Sequence, residues 1–174
     1  MKLLKLSVIA LVWSINGCSF NPSVHYDSKP NFNMDGLHNF FILQKQKQDG
    51  VYLTLDQNRA INAIDKILIN KGYKSSTKEK ADFIVSLQLV KEKKYRSENY
   101  YEPFGYYPFW YGFGNNNYVR EYEVGTLIID IINPNSKEVI WRGSTGSRIK
   151  KNLSPSERKA RIQLAAQNIL KTLS

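Results

Sequence analysis

Residues 120–148 restrict the fold more than any other stretch: R-E-Y-E-V-G-T-L-I-I-D-I-I-N-P-N-S-K-E-V-I-W-R-G-S-T-G-S-R. Two apolar runs of strand length flank Asn133-Pro134-Asn135-Ser136. Proline fixes φ, and asparagine bonds its own backbone or tolerates the left-handed region, so the link is a tight turn. With Asn133 facing Lys137 across a three-residue loop, Leu127, Ile129, Ile131, Val139 and Trp141 share one sheet face. Ile128, Asp130, Ile140 and Arg142 share the other, with Asp130 diagonal to Arg142. The first face is apolar and must be covered by the rest of the chain. Asp130 reads as a structural partner for Arg142, and Trp141 as core.

The covering elements are legible. Thr54-Leu55-Asp56-Gln57 is a capping box, and Ala60, Ile61, Ile64 and Leu68 then recur at helical spacing. Gly72 fits the left-handed residue past that helix's end, so the first helix spans 55–71. Ser154-Pro155-Ser156-Glu157 opens a second helix with proline at its first position. Its apolar stripe is Ile162, Ala165, Ala166, Ile169 and Leu170. Residues 81–91 alternate, with Phe83, Val85, Leu87 and Leu89 on one side and Asp82, Ser86 and Gln88 on the other, which predicts a half-buried strand. Residues 39–43 are a short apolar and aromatic strand, and 23–27 offer a shorter first one. Residues 44–50 read as a polar loop. The order predicts a single α+β domain: a mostly antiparallel sheet, with a mixed one left open, and two amphipathic helices packed on one face.

The N-terminus stands apart from this domain. Met1–Lys5 is a short basic segment and Leu6–Ser14 is apolar, too short for the roughly 20 residues a membrane-spanning helix needs. Gly17-Cys18 closes it, and Cys18 is the chain's single cysteine. The arrangement resembles the lipobox of bacterial lipoproteins. The resemblance implies cleavage of a signal peptide 1–17, acylation of Cys18 (palmitate among the chains) and a tether over 18–37 ahead of a domain at 38–174. In that class Ser19, where an aspartate commonly directs inner-membrane retention, points to the outer membrane, with the domain in the periplasm. Lipidation leaves no thiol for a disulfide, and several acyl chains anchor stably where one is marginal. Removing Lys2 and Lys5 lowers the formal charge from +10 to +8. For an exported, tethered chain that excess points to envelope polyanions such as lipopolysaccharide or anionic lipid, not nucleic acid, or to an ordinary solvated surface.

Tyr122-Glu123-Val124-Gly125-Thr126-Leu127-Ile128-Ile129-Asp130 followed by Val139-Ile140-Trp141-Arg142-Gly143 resembles the hallmark hairpin of the domain of unknown function 4136 lipoprotein family. Tyr26-Asp27, Ala81-Asp82-Phe83 and Ile169-Leu170 agree with it, and the likeness covers about residues 20–174. It implies a lipid-anchored, periplasm-facing domain and no catalytic residues.

Two features stand out as contact candidates. Residues 95–118 hold 11 of the chain's 22 aromatics, interleaved with Gly105, Gly112, Gly114 and Asn115–Asn117. A loop cannot hide so many rings in itself, and exposed apolar surface marks contact. Tyr100, Tyr101, Phe104, Tyr106, Tyr107, Phe109, Trp110, Tyr111 and Phe113 are the candidate contact residues, for a partner protein, a glycan or the lipid interface. The alternative is a self-packed excursion extending two strands. The second feature is a basic cluster, Arg148, Lys150, Lys151, Arg158, Lys159 and Arg161, beside the start of the second helix. Helix N-terminal amides with nearby cations can hold an anion; a solvated charged face is the plainer reading. Lys91, Lys93, Lys94 and Arg96 form a second basic run.

Signals for catalysis are thin. His25 and His38 are the only histidines and lack metal-ligand spacing, and no G-x-S-x-G, phosphate-binding loop or paired-carboxylate pattern occurs. Ser144-Thr145-Gly146-Ser147 offers hydroxyls without an identified base. The expectation is a non-catalytic binding or assembly module without cofactor or metal; a direct binder of polyanions or membrane surface is the alternative, and an unrecognised hydrolase the remote one. The sequence leaves the oligomeric state open.

Overall fold

The computed structural model describes residues 23–43, 53–99 and 117–173; for 97–99 and 117–119 only the backbone is described. The strands are β1 (Val24–Ser28), β2 (Asn39–Ile42), β3 (Lys74–Ser75), β4 (Phe83–Asn99), β5 (Asn117–Ile132) and β6 (Val139–Arg148). The helices are α1 (Leu55–Asn70) and α2 (Pro155–Lys171), with a single 3-10 turn at Lys78–Lys80. The six strands form one sheet in the order β1-β6-β5-β4-β2-β3. The architecture is a single-domain α+β layer.

Both helices begin where the sequence places them. Thr54 Oγ1 accepts from the Gln57 amide at 3.2 Å, and Gln57 Oε1 accepts from the Thr54 amide at 2.8 Å. Ser154 and Glu157 make the same reciprocal pair. Such a box satisfies two of the four amides a helix start leaves open. Gly72 takes φ +96°, which ends α1.

The helices pack against each other and against one sheet face. Phe40, Ile42, Phe83, Val85, Leu87, Leu127, Ile129, Ile131 and Trp141 meet Ala60, Ile64, Leu68, Ala166, Ile169 and Leu170. Each large side chain buried this way contributes about 1.5–3 kcal/mol relative to exposure. Phe83 is central: its ring stacks on Phe40 at 6.1 Å and meets Tyr73 edge-on at 5.3 Å.

The sheet is mixed. β2 runs parallel to both β4 and β3, because α1 lies between β2 and its partners in the chain and carries it back to the starting end. The remaining pairs are antiparallel. Three local expectations change. Asp130 lies directly opposite Arg142, not diagonal to it. A bulge between Ile131 and Ile132 inserts Ile140, so Val139 pairs with Ile132 and is 39% exposed, outside the core face. At the turn, the Asn133 amide donates to the Glu138 carbonyl, the Lys137 amide donates to Asn133, and Lys137 takes φ +58°. β4 is also more than a half-buried strand, since Ile84 and Ser86 on its second face are buried too.

The largest difference is length. β4 continues eight residues past Lys91, and β5 begins eight before Gly125, its partner. The last rung that β6 shares with β5 is Arg148 opposite Val124. Beyond it β4 and β5 run on as a two-stranded ribbon. At about 3.3 Å per residue, Lys93–Asn99 reach roughly 23 Å past the body of the sheet.

Candidate functional site

The residues expected to make contact divide between this ribbon and the start of α2. Tyr100, Tyr101, Phe104, Tyr106, Tyr107, Phe109, Trp110, Tyr111 and Phe113 lie outside the described residues, as does Cys18. The chain around them is described. Residues 100–116 connect the two strand ends of the ribbon, Asn99 and Asn117, which pair with each other. The aromatic-rich segment is therefore attached at the far tip of the ribbon. Tyr95, on the ribbon itself, is 65% exposed.

Antiparallel pairing sorts the ribbon's charges onto two faces. On the face continuous with the core side, Lys91 and Lys93 stand with Glu121 and Glu123. Lys93 Nζ meets Glu121 Oε1 at 2.7 Å, and this contact raises the lysine's pKa. The other face carries Lys94 opposite Tyr122 and Arg96 opposite Arg120. Arg148 joins it from β6, its guanidinium carbon 4.4 Å from the Tyr122 ring centroid in a cation–π contact.

Arg148 thus leaves the cluster that the sequence assigns it to. Its side chain lies on the sheet face away from α2, while its carbonyl accepts from Arg161 Nη2 at 3.1 Å. Arg158 Nη2 reaches the Lys151 carbonyl at 3.4 Å. Arg161 ties α2 to the end of β6, and Arg158 ties it to the turn between them. Lys150, Lys151 and Lys159 remain exposed beside them. The capping box occupies the amide that an anion at this helix start would seek, and the Ser154 contacts hold the Glu157 carboxyl below its ordinary pKa.

The hairpin residues are structural. Arg142 Nε donates to Asp130 Oδ1 at 2.6 Å and its Nη2 to Oδ2 at 2.9 Å, a bidentate pair. Asp130 is 3% exposed; the bond to its carboxylate raises the arginine's pKa. Trp141 is 2% exposed, within the core. The Thr145 hydroxyl donates to the Ser23 carbonyl at 2.9 Å and pins the start of β1. Ser147 Oγ accepts from Arg161 at 3.4 Å. An open groove beside β1 and β6 is lined by Asp27, Lys29, Trp141 and Arg142 among others. Its cations are paired, Arg142 with Asp130 and Lys29 with Glu138 at 2.7 Å. Among the described residues no three His, Cys, Asp or Glu side chains gather as a metal site would require, and no helix is long and apolar enough to cross a membrane.

No curated protein matches this chain in sequence. Solved structures share its fold. A DUF4136 family protein from Bacteroides thetaiotaomicron is 15% identical, with 87% of this chain and 96% of that one covered and a TM-score of 0.50. A variant of the PelC dodecamer from Paraburkholderia phytofirmans is 11% identical over 87% of this chain and 95% of that one, also at 0.50. A PDZ domain protein from Parabacteroides distasonis reaches a TM-score of 0.53 at 12% identity, over 88% of this chain and 36% of that one. At these identities the likeness is one of fold. The profile of the domain of unknown function DUF4136 matches residues 23–173, and the chain belongs to that family.

Proposed function

We propose that the protein is a lipid-anchored lipoprotein of the cell envelope, held at the outer membrane through Cys18 with its domain in the periplasm, and that it is a non-catalytic binding or assembly module. One observation carries the assembly reading: the β4–β5 ribbon extends past every other strand and has the Tyr-, Phe- and Trp-rich segment attached at its tip. A ribbon over which the described residues place no third strand or helix adds little to a core. Its residues 91–96 are exposed, so its length is explained by reach and not by stability. Aromatic side chains with one apolar and one polar end suit a contact made at that distance. The PelC relative was solved as a dodecamer, which agrees with assembly as a use of this fold.

In-cell photo-crosslinking from Trp110 tests this reading. A single defined protein adduct is expected, and the same partner should no longer co-purify when 100–116 is replaced by a two-residue turn, while the membrane fraction and the melting temperature are kept. A shortened chain that retains the same partner would refute the contact role. Soluble, unacylated protein in intact cells would refute the anchor.

The unequal charge of the ribbon's two faces favours a second use, direct binding of an anionic surface.

A further inference from the structure

We infer that the open edge of β1 pairs with β1 of a second copy of this chain, antiparallel and centred on Tyr26. The contact is separate from the ribbon. It rests on the lipid-anchor reading of Cys18 for the local concentration it needs.

β1 is an outer strand of the sheet, and among the described residues only β6 pairs with it. The Lys29 amide donates to the Ile140 carbonyl at 3.0 Å, so these two continue the β1–β6 register as a bonded pair. Bonded and non-bonded pairs alternate in an antiparallel ladder. His25 and Asp27 therefore bond to β6, while Val24, Tyr26 and Ser28 turn their amides and carbonyls outward. The strand is exposed from His25 onward, and Tyr26 is 62% exposed. Unpaired backbone groups on such an edge are a template for another strand. The outward Ser28 amide is met by its own neighbour: Asp27 Oδ1 accepts from it at 2.8 Å.

A second copy is selected because the edge is complementary to itself. With Tyr26 opposite its own counterpart, Val24 falls opposite Ser28, and every outward residue meets an outward residue. His25 and Asp27 project from the other face of the strand, on the side of Ser144 and Arg142. In this register each His25 stands opposite Asp27 of the second copy. An imidazole N–H donates to a carboxylate whether or not the ring is charged. The Ser28 amide then takes the Val24 carbonyl of the second copy, which frees the Asp27 carboxylate for that imidazole. Sliding the pair by two residues either way keeps the ladder but brings His25 onto His25 or Asp27 onto Asp27. Side-chain pairing thus singles out one register.

Five residues a side bury less than the roughly 1,000 Å² of a stable interface, so the pair forms where copies are concentrated on one membrane. The two Ser23 residues lie at opposite ends of the joined strands, about 20 Å apart at ~3.3 Å per residue. Only four residues separate Cys18 from Ser23, a reach of about 17 Å even fully extended. Both anchors reach one bilayer when the twofold axis stands along its normal. A pair then lies with its sheet along the lipid, whereas a single copy stands on its ribbon end.

The test uses the full acylated chain in phosphatidylcholine vesicles. Acylation consumes Cys18, so Tyr26→Cys carries the single thiol. Cα atoms of a bonded antiparallel pair stand about 5.5 Å apart, within disulfide reach. Mild oxidation should give a covalent dimer roughly tenfold faster from Tyr26→Cys than from Ser136→Cys at the same high surface density. Adding His25→Asp should slow that dimer roughly tenfold, because two matched pairs become repulsive, and Asp27→His should slow it as well. Mixing those two variants restores carboxylate opposite imidazole at both positions. The mixed dimer should therefore form as fast as the parent while neither variant couples to itself. All three positions are exposed, so melting should be unchanged. A Tyr26→Cys thiol that couples no faster than the Ser136→Cys thiol, on protein that floats with lipid, overturns the inference and leaves the anchor standing. So does coupling that ignores both charge variants, or a mixture that fails to restore it. In intact cells, a thiol at this position that couples only to a different protein also overturns it. Protein that carries no acyl mass and does not float removes the anchor reading. The same comparison in a Cys18→Ser chain in concentrated solution then decides the pairing by itself.

Discussion

Trp141 and Gly143 account for each other. They are two residues apart on one strand and so share the core face, where the indole lies over the glycine. A Cβ on Gly143 would collide with Trp141 Cη2 and come within 2.5 Å of Ile169 Cγ2. Neither neighbour can yield, because both are buried, and the motif V-I-W-R-G thus records a packing constraint. Gly143→Ala should cost about 2 kcal/mol by overpacking and lower the melting temperature by about 4–8 °C in a domain of this size. Calorimetry checks this, and an unchanged melt would mean that the core is looser than the contacts indicate. Asp82 makes a different kind of claim. Its carboxylate accepts from the amides of His38 at 2.9 Å and Asn39 at 2.8 Å, and from Asn39 Nδ2 at 3.1 Å. The backbone donors hold its pKa below the ordinary carboxylate value, His38 foremost. The folded pKa is depressed, so the stabilisation is present above the unfolded value of about 4 and is lost as pH falls through the lower folded value. Asp82→Ala should therefore melt below the parent at pH 7, and the gap should close in acid. A gap that persists at pH 2 would assign the role of Asp82 to packing.

Which elements could be read in advance follows from how local their causes are. Thr54 with Gln57, Ser154 with Glu157, and the apolar stripes behind them act within one or two turns, and both helices form where those signals stand. The hairpin is legible except for its register: the turn closes with Asn133 on Glu138, and the bulge at Ile140 is one that no residue type announces. The parallel placement of β2 depends on where α1 returns the chain, and the two-residue β3 has no period to detect. The extension of β4 and β5 enters the sequence reading only as an alternative, for a physical reason. Apolar alternation ends near Lys91, and no layer of the described residues covers either face beyond it, so a strand there leaves no hydrophobic pattern. The basic cluster was misread at one residue: Arg148 is adjacent in sequence to Lys150, but strand alternation sends its side chain to the opposite face. A ribbon held by its ladder alone should open more readily than the strands beneath the helices. Amides at 93–96 and 120–123 should exchange within seconds while those of Leu127, Ile129 and Ile131 are protected for hours. Equal protection along β4 and β5 would show that something covers the ribbon.

At the scale of the whole molecule the sheet has two unlike ends, and the fold dictates which of them an anchor at Cys18 would face. β1 starts, β6 finishes and α2 begins at one end; the Asn133–Lys137 turn closes the other. The ten residues of β6 separate the two ends by about 33 Å at ~3.3 Å per residue. The stretch between Cys18 and Ser23 is shorter than that, so an anchor at Cys18 can hold only the ribbon end near a bilayer. Orientation then follows from chain length and topology, without reference to headgroup charge. In acylated protein on neutral vesicles, a fluorophore at Lys151→Cys should be quenched by a lipid-borne quencher several times more strongly than one at Ser136→Cys. Both positions are exposed, so neither substitution disturbs the core. Inserting about 15 Gly and Ser residues after Asn21 should erase the difference, because a flexible tether of that length no longer selects an end. Equal quenching in the parent chain would show that the segment before Ser23 does not constrain orientation. Stronger quenching at Ser136 would reverse the polarity that the register of β1 on β6 requires.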